Sequence, residues 1–316
     1  MKKWIFMAFF MVCGLFLVAA VADDEQDEYI KWFDFNVPCE ILSKAYEYDK
    51  NSQDTEYPLD FIQLLAYTSA KNWGKFNKNS SSAMSNVVAR IKAGERMHDI
   101  VQDMELYNFY FSAYSAVLGG FVGHYEQDNA RQYGLRVFSP LAKGYGFSHS
   151  DDFGNPRSYG YSRPHLGHDV FGAIGAPIIA VECGTVEALG WNRFGGWRIG
   201  IRSLDQKRYY YYAHLQKNKP YATGLEVGTH VHAGDVIGFL GNTGYSNKEN
   251  VANLKQPHLH FGIQIIFDEA QKDGNNQIWI DAYHIFRFLN QNRMEVTKNE
   301  AGEYTRAIER NVFPME

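Results

Sequence analysis

Two histidines lie two residues apart in Pro257-His258-Leu259-His260-Phe261, a short apolar run near the carboxyl-terminal end of the chain. Alternate side chains of a β-strand project from the same face, so this run predicts a strand with both imidazoles on one side. Neutral imidazole is a common ligand of zinc. On spacing alone, both histidines could bind one metal, or one could bind while the other acts beside it. The pair therefore favours a sheet that carries a metal site or a catalytic site on one face.

A second candidate half-site lies upstream, in His165-Leu166-Gly167-His168-Asp169, and His214 ends the aromatic run that begins at Tyr209. Together these segments offer two or three nitrogen ligands, one carboxylate and spare histidines. Catalytic zinc sites use such a donor set, with three protein ligands and a fourth position left for water. The spacing does not tell which member of either histidine pair is the ligand. The combination indicates a metalloenzyme, and a hydrolase in particular.

The distribution of histidine supports this interpretation, because eight of the eleven histidines lie between Phe147 and Phe261. A single histidine is usually structural or merely exposed, so the weight rests on the three segments taken together. The pair in His230-Val231-His232 has the same spacing but falls in a predicted hairpin, and we expect it at the surface. For His168 we expect either no role or a supporting role near the metal.

The formal net charge is −5, and the composition shows no basic groove, which argues against a nucleic-acid partner. At the amino terminus, Lys2-Lys3 precede an apolar stretch from Trp4 to Ala22 that ends in Ala20-Val21-Ala22. This pattern predicts an export signal, either cleaved, which the small residues favour, or retained as a membrane anchor. Both readings place the protein outside the cytoplasm, in the cell wall, in the periplasm or secreted. Membrane contact would come only through the uncleaved segment.

Only two cysteines, Cys39 and Cys183, lie beyond the predicted signal. In an oxidising compartment they could form one disulfide. They fall in different predicted domains, so we favour two separate small buried residues.

The chain divides into residues 1–22 as signal peptide or anchor, 23–133 as a helical domain of unknown role, and 134–316 as a β-rich domain, an α+β organisation. Helical spacing of apolar residues recurs around Phe61, Met84 and Leu106, and Gly119-Gly120 closes the third helix. Beyond Gly134, glycine-punctuated short strands predict antiparallel sheet, with a hairpin over residues 227–238. Helical spacing resumes over residues 278–289.

Residues 163–261 resemble the lysostaphin-type (LytM-like) zinc endopeptidases, metallopeptidase family twenty-three, which cleave peptidoglycan. The matching stretches, in the family's order, are His165-Leu166-Gly167-His168-Asp169, Gly175-Ala176-Pro177-Ile178-Ile179-Ala180, Gly184-Thr185-Val186, Tyr212-Ala213-His214-Leu215, Gly234-Asp235-Val236-Ile237-Gly238, Gly241-Asn242-Thr243-Gly244-Tyr245-Ser246 and Pro257-His258-Leu259-His260-Phe261. The resemblance implies the mainly antiparallel duplicated hybrid fold of that family for the β-rich domain.

The resemblance also implies one Zn²⁺ per chain, held by His165, Asp169 and His260, with His214 and His258 as catalytic histidines that do not bind the metal. The implied activity is hydrolysis of the peptide cross-bridges of bacterial peptidoglycan through a zinc-activated water. One alternative is a noncatalytic module of the same fold that binds wall peptide or a partner protein and regulates cell-wall remodelling. Another is a zinc peptidase for free peptides or proteins.

Three further residues are candidates for substrate binding: Asn242 and Thr243, which could equally form a plain turn, and Tyr212, near His214. Family members usually join the glycine-rich turn to the histidine strand by a short link. Here residues 247–256 intervene, and we expect this insertion at the rim of the groove, where loops set specificity.

Overall fold

The computed structural model describes residues 29–272 and 274–312, without the side chain of Asn311. The segment interpreted as signal peptide or anchor, residues 1–22, lies outside the described residues. Within the described ranges, no helix has both the length and the apolar character needed to cross a membrane.

Five helices precede the strands in the described part of the chain. They are α1 (Cys39–Lys50), α2 (Phe61–Lys71), α3 (Ser80–Lys92), α4 (Met97–Val101) and α5 (Tyr107–Leu118). The helical pattern read from the sequence is therefore confirmed. Asp60 begins α2 because its carboxylate accepts the backbone N–H of Gln63 at 2.7 Å, a standard N-terminal cap.

Apart from two short 3-10 helices, Glu269–Gln271 and Gly274–Asn276, the remaining described elements are strands and one α-helix. They are β1 (Val122–Gln127), β2 (Ala130–Leu135), β3 (Phe147–His149), β4 (Pro156–Arg157), β5 (Arg163–Pro164), β6 (His168–Gly172), β7 (Pro177–Ile179), β8 (Gly184–Asn192), β9 (Gly196–Ser203), β10 (Arg208–Ala213), β11 (His230–Val231), β12 (Val236–Phe239), β13 (His258–Ile265), β14 (Ile278–Ile280), α6 (Tyr283–Leu289), β15 (Val296–Lys298), β16 (Tyr304–Arg306) and β17 (Arg310–Val312).

The main sheet has the strand order β11-β8-β9-β10-β13-β6-β3, and β14 also pairs with β13. Its pairings are antiparallel, as the short glycine-punctuated strands predict. The histidine run forms β13, at the centre of this sheet. In β13, His260 lies opposite Asp169 of β6 on one side and opposite Ala213 of β10 on the other.

Two local expectations differ from the structure. Residues 233–235 do turn, but β11 pairs with β8 while β12 pairs with β7, so residues 227–238 do not form one hairpin. Residues 278–280 form strand β14 because Ile278 and Ile280, both buried, alternate into the core with a period of two. The helix begins only at Tyr283.

The helical region and the β-rich region share one hydrophobic core in the described residues. Phe61 of α2 stacks on Phe288 of α6 with ring centroids 5.9 Å apart. The expected boundary between residues 133 and 134 falls inside the β1–β2 hairpin, which also pairs with β17. Cys39 and Cys183 are both free and buried, so the interpretation as separate buried residues is confirmed.

Candidate metal centre

Three side chains from different segments meet at one end of β13. The Nε2 atom of His165 lies 3.0 Å from Oδ1 of Asp169 and 2.9 Å from Nδ1 of His260. The His260 Nδ1 atom lies 3.1 Å from the same Asp169 oxygen. Sheet register explains part of this geometry, because Asp169 and His260 are directly opposite each other on neighbouring strands. The loop before β6 brings His165 over the pair.

The donor atoms of this cluster suit zinc. A tetrahedral zinc ion with bonds of about 2.0–2.1 Å holds its donors about 3.3 Å apart. In the cluster, one carboxylate oxygen and two imidazole nitrogens lie within 4.8 Å of one another, so small side-chain movements reach that spacing. Three protein donors leave a fourth position, as catalytic sites require. Among the described residues, this is the only group of three or more potential ligands.

A clamp of two residues, Asp152 and Arg157, holds the cluster from behind. The Nδ1 atom of His165 lies 3.1 Å from the backbone oxygen of Asp152 and 3.2 Å from its Oδ2 atom. Arg157 donates from Nη2 to Asp152 Oδ2 at 2.6 Å and to Asp169 Oδ2 at 3.1 Å. These contacts orient His165 and Asp169 toward the metal position. Sequence reasoning missed both residues, because no spacing marks a loop residue that reaches the site only through the fold.

Two further histidines stand beside the cluster with their ring orientation fixed by the backbone. The Nδ1 atom of His258 faces the Gln256 carbonyl oxygen at 2.9 Å, and that of His214 faces the Thr243 carbonyl oxygen at 2.8 Å. A carbonyl oxygen can only accept, so both rings donate through Nδ1, and their Nε2 atoms are left for other partners. The His258 Nε2 atom lies 3.7 Å from Asp169 Oδ1, and the two rings are 4.7 Å apart.

The backbone at His214 explains how this residue faces the groove. Strand β10 ends at Ala213, and His214 takes a φ of 61°, in the left-handed region that β-carbon-bearing residues rarely adopt. The strand's alternation therefore stops one residue earlier, so His214 does not share the buried face of Tyr212. Such strain persists where the surroundings determine it, often at functional sites.

Burial and the nearby charges set the protonation of the site in the absence of metal. Burial disfavours the imidazolium of His165, but the carboxylates of Asp152 and Asp169 outweigh it and raise its pKa to about 9. Burial also opposes ionisation of Asp169, yet hydrogen bonds from His165 and His260 hold its pKa well below the usual range. Burial, with the neighbouring His258, holds the pKa of His214 well below 6.5. His214 is therefore neutral at neutral pH.

Gly167 makes room for the His260 ring. A β-carbon at Gly167 would lie 2.5 Å from both Cε1 and Nε2 of that imidazole, closer than real β-carbon contacts allow. The glycine between the two halves of His165-Leu166-Gly167-His168-Asp169 is thus needed for close packing of the cluster.

The cluster lies at the floor of a groove with a volume of about 720 Å³. The lining residues, beyond the five site residues, include Arg157, Arg163, Leu166, Glu187, Phe194, Arg198, Tyr209, Tyr211, Tyr245, Gln264, Lys272, Gln277 and Trp279. Tyr211 approaches His260 with ring centroids 5.8 Å apart, and Trp279 stands edge-on to Tyr211. On the opposite side, Arg163 stacks over Phe194 at 4.3 Å.

The three residues expected to bind substrate do not line this groove. Tyr212 is fully buried and its hydroxyl accepts the N–H of Val181. Thr243 is also fully buried and donates to the Leu215 carbonyl, while Asn242 holds the following loop through the Leu254 carbonyl. These three assignments are corrected: the groove-facing tyrosines are Tyr209 and Tyr211, because alternation places them opposite to Tyr212.

The inserted segment, residues 247–256, is also not among the groove-lining residues. Its Asn250 accepts the indole N–H of Trp197 and the backbone N–H of Asn218. Two other residues of the segment contact groove residues from behind: Asn253 donates to the Tyr245 carbonyl oxygen, and the Gln256 carbonyl oxygen holds the His258 ring. The segment therefore supports groove residues without lining the groove, and its place on the rim stays a prediction.

The other histidines of the β-rich domain lie outside the groove. The Nε2 atom of His168 lies 2.9 Å from Nδ1 of His149, on the face of β6 opposite to the cluster. Burial, with His149 beside it, lowers the pKa of His168 to about 4. His230 and His232 are exposed, as expected.

Comparison with known proteins places this site in a family. The model of peptidase family M23 matches residues 163–276. The L-Ala--D-Glu endopeptidase of Bacillus subtilis is 42% identical over 117 residues, which are 37% of this chain and 34% of that protein. Lysostaphin of Staphylococcus simulans is 38% identical over 98 residues, 31% of this chain and 17% of that protein. Peptidoglycan DD-endopeptidase ShyC of Vibrio cholerae is 30% identical over 155 residues, 48% of this chain and 32% of that protein.

These matches span about a third or less of each relative's length. Among solved structures, lytM from Ruminococcus gnavus has a TM-score of 0.55 at 20% identity, and the match covers 85% of this chain and 93% of that one. This likeness confirms the predicted fold, a helical region followed by a mainly antiparallel β domain. The sequence match and the site geometry lead to one assignment: residues 163–276 form a domain of peptidase family M23.

Proposed function

We propose that the chain is a zinc-dependent endopeptidase that hydrolyses the peptide cross-links of bacterial peptidoglycan. The observation that supports this most is the convergence of His165, Asp169 and His260 with two histidines of fixed orientation on the floor of a groove. The names of the relatives support the substrate, because they include peptidoglycan and glycyl-glycine endopeptidases.

In this proposal His165, Asp169 and His260 hold one Zn²⁺, and Asp152 and Arg157 keep two of these ligands in position. Bound zinc supplies a Lewis acid for the peptide carbonyl and lowers the pKa of a bound water to about 7. The ligand set leaves one side of the cluster facing the groove, where the scissile peptide bond would lie.

His214 and His258 move protons at their Nε2 atoms. Each ring donates through Nδ1 to a backbone carbonyl, so its Nε2 accepts a proton from water during attack. A ring that has gained this proton can then stabilise the developing oxyanion or protonate the leaving amine. General acid–base help of this kind is typically worth about 10²–10⁴-fold in rate. The two rings, 4.7 Å apart, are close enough to serve the same peptide bond.

We further propose that the protein acts outside the cytoplasm, on the strength of the amino-terminal sequence, and that residues 134–316 carry the activity. None of the residues lining the groove belongs to α1–α5. We therefore propose a supporting role behind the sheet for these helices.

The test is to incubate zinc-loaded protein with purified peptidoglycans, some cross-linked directly through a diamino acid and some through glycine bridges. Released fragments are identified by mass spectrometry. New amine ends are expected with the unaltered protein and with His232→Ala, an exposed histidine, but not with His258→Ala. Zinc bound at one per chain without cleavage of any wall would favour the noncatalytic module instead.

A further inference from the structure

Two arginines in the groove, Arg163 and Arg198, form no ion pair among the described residues, and Arg198 also has an unpartnered buried atom. Arg198 of β9 is partly buried, and its Nε atom is buried without a hydrogen-bond partner. Among the described residues, no aspartate or glutamate forms an ion pair with it; its side chain lies near three tyrosines, Tyr209, Tyr211 and Tyr221. The nearby Glu187 is engaged by Arg202 at 3.3 Å and by Lys272 at 3.2 Å. A guanidinium that is partly removed from water without a counter-charge is unusual.

The register of the sheet places Arg198 close to the metal cluster. His260 is paired with Ala213 of β10, and Ala213 follows Tyr212, which is paired with Ile199 of β9. Continuing the antiparallel register of β9 and β10 by one residue sets Arg198 opposite Ala213. Arg198 therefore projects from the same face of the sheet as His260. Neighbouring strands lie about 4.8 Å apart, so the Cα atoms of His260 and Arg198 are separated by about 10 Å.

Two groove tyrosines shape the space around this arginine. A β-carbon at Gly200 would lie 1.8 Å from the Tyr209 hydroxyl oxygen, so the Tyr209 ring lies directly over Gly200. The Tyr211 hydroxyl is held by the side-chain amide of Asn192 at 3.0 Å. Both tyrosines are therefore held in place beside Arg198, and all three residues line the groove.

The charges that line the groove are unbalanced. Before any metal binds, the lining contains two carboxylates, Asp169 and Glu187, and four cationic side chains: Arg157, Arg163, Arg198 and Lys272. Arg157 is paired with Asp169, and Lys272 with Glu187. Arg163 and Arg198 form no ion pair among the described residues. The groove therefore favours a ligand with negative charge.

We propose that Arg198 binds a carboxylate of the substrate, within about three residues of the scissile bond, since an extended peptide advances about 3.3 Å per residue. The preferred substrate is then an acidic stem peptide rather than a neutral polyglycine bridge. This inference rests on the proposed function and narrows it. Hydrogen bonds to charged groups are worth enough for a preference of roughly 10- to 100-fold.

Two groups of a peptidoglycan stem could supply the carboxylate: the free carboxylate of a D-glutamyl residue, or that of a diamino acid. Three synthetic stem peptides with amidated carboxyl termini separate these sources. One carries only the glutamyl carboxylate, one carries only the diamino-acid carboxylate, and in the third both are amidated.

The dissociation constants of the three peptides are measured by calorimetry on full-length, zinc-loaded His258→Ala protein, which is not expected to turn them over. The same measurement is made on two double variants, in which His258→Ala is combined with Arg198→Gln or with Arg131→Gln. The second is the matched control, because it removes an exposed arginine of β2 outside the groove. Circular dichroism checks that each variant is folded. The kcat/KM of the unaltered enzyme on each peptide is measured in parallel.

We expect one acidic peptide to bind about 10- to 100-fold more tightly than the neutral one, with this preference lost in Arg198→Gln and kept in Arg131→Gln. Equal binding of all three peptides, binding of none at millimolar concentration, or a preference that survives Arg198→Gln would overturn the inference. If Arg198→Gln does not fold, the comparison of acidic and neutral peptides on the parent protein still decides. A binding preference without any cleavage would contradict the proposed function and leave the carboxylate site standing.

Discussion

Asp152 holds His165 by two contacts to the same ring nitrogen: its backbone oxygen lies 3.1 Å, and its Oδ2 atom 3.2 Å, from Nδ1 of the imidazole. The pair therefore fixes both the tautomer and the rotation of the ring. The other nitrogen, Nε2, is left for the cluster. Asp152 is also bridged by Arg157 to Asp169, so one loop residue influences two of the three proposed metal ligands.

Replacing Asp152 by alanine should weaken zinc binding by about 10- to 100-fold, the usual effect of losing a residue that orients a ligand. The reason is that His165 loses its carboxylate contact and Arg157 loses one of its two anchors. Competition with a chromophoric chelator measures the affinity. Asp151→Ala, which removes the exposed neighbouring carboxylate, should bind zinc like the unaltered protein. If the two variants bound zinc with equal affinity, Asp152 would not be a residue that orients the metal ligands.

Metal content and turnover should separate the two histidines of β13. His260→Ala should lose zinc, because it removes one of three donors. His258→Ala should keep zinc and lower kcat by about 10²–10⁴-fold, because it removes an acid–base group. Metal analysis after gel filtration, together with peptide hydrolysis, distinguishes the two variants. Loss of zinc from His258→Ala would show that the ligand assignment within this pair is reversed.

Gly167→Ala should damage the site while the fold is kept. Its β-carbon would lie 2.5 Å from two atoms of the His260 ring, so the ring must rotate away from the other donors. We expect zinc affinity at least about 10-fold weaker, since displaced ligands cost as much as lost orienting partners. Gly146→Ala is the control, because a β-carbon there meets nothing within 4 Å. Unchanged zinc binding in Gly167→Ala would mean that the strand can shift to admit the methyl group.

The buried carboxyl group of Asp49 should make stability depend on pH. Burial outweighs its hydrogen bonds, including those from Tyr133 and the Phe61 N–H, and raises its pKa from 3.8 to about 6. The folded state thus binds this proton more tightly than the unfolded state. The resulting stability is complete below pH 3.8 and is lost as the pH rises through about 6.

Urea unfolding between pH 3.8 and pH 7 measures this effect. Across that range, the free energy of unfolding of the unaltered protein should fall relative to Asp49→Asn, by up to about 3 kcal/mol. Asp54→Asn, an exposed neighbour, should follow the unaltered protein. If the free energy of unfolding of Asp49→Asn changed with pH in parallel with that of the unaltered protein, the buried carboxyl group would not be the source of the pH dependence.

The sequence was sufficient for features that depend on local periodicity. The run around His258 and His260 predicted strand β13 with both rings on one face, and the apolar spacing around Leu106 predicted α5. Features that depend on distant pairing were not predictable. The segment around His230 looks like half of a hairpin, but its partner strand is β8, which lies more than 40 residues upstream.

The error at Tyr212 has a specific physical cause. Tyr212 was a candidate because it lies near His214 in the sequence, but the alternation of β10 turns its side chain into the core while Tyr209 and Tyr211 line the groove. The left-handed backbone at His214 breaks the alternation, so nearness in sequence to His214 does not place Tyr212 on the groove side. Three other residues were missed for a related reason. Two strand pairings bring Arg157 and Arg198 to the groove, and a loop brings Asp152 against His165.

The stacking of Phe61 on Phe288 has a consequence for how the chain can be divided. A β-rich domain trimmed of its helices would present the aromatic face of α6 to water, so aggregation is the expected fate of such a fragment. The two regions are not modules joined by a tether. Mutations in the helices and mutations behind the groove therefore lower the same free energy of unfolding. A destabilising mutation in one region leaves the other region less able to tolerate a second one.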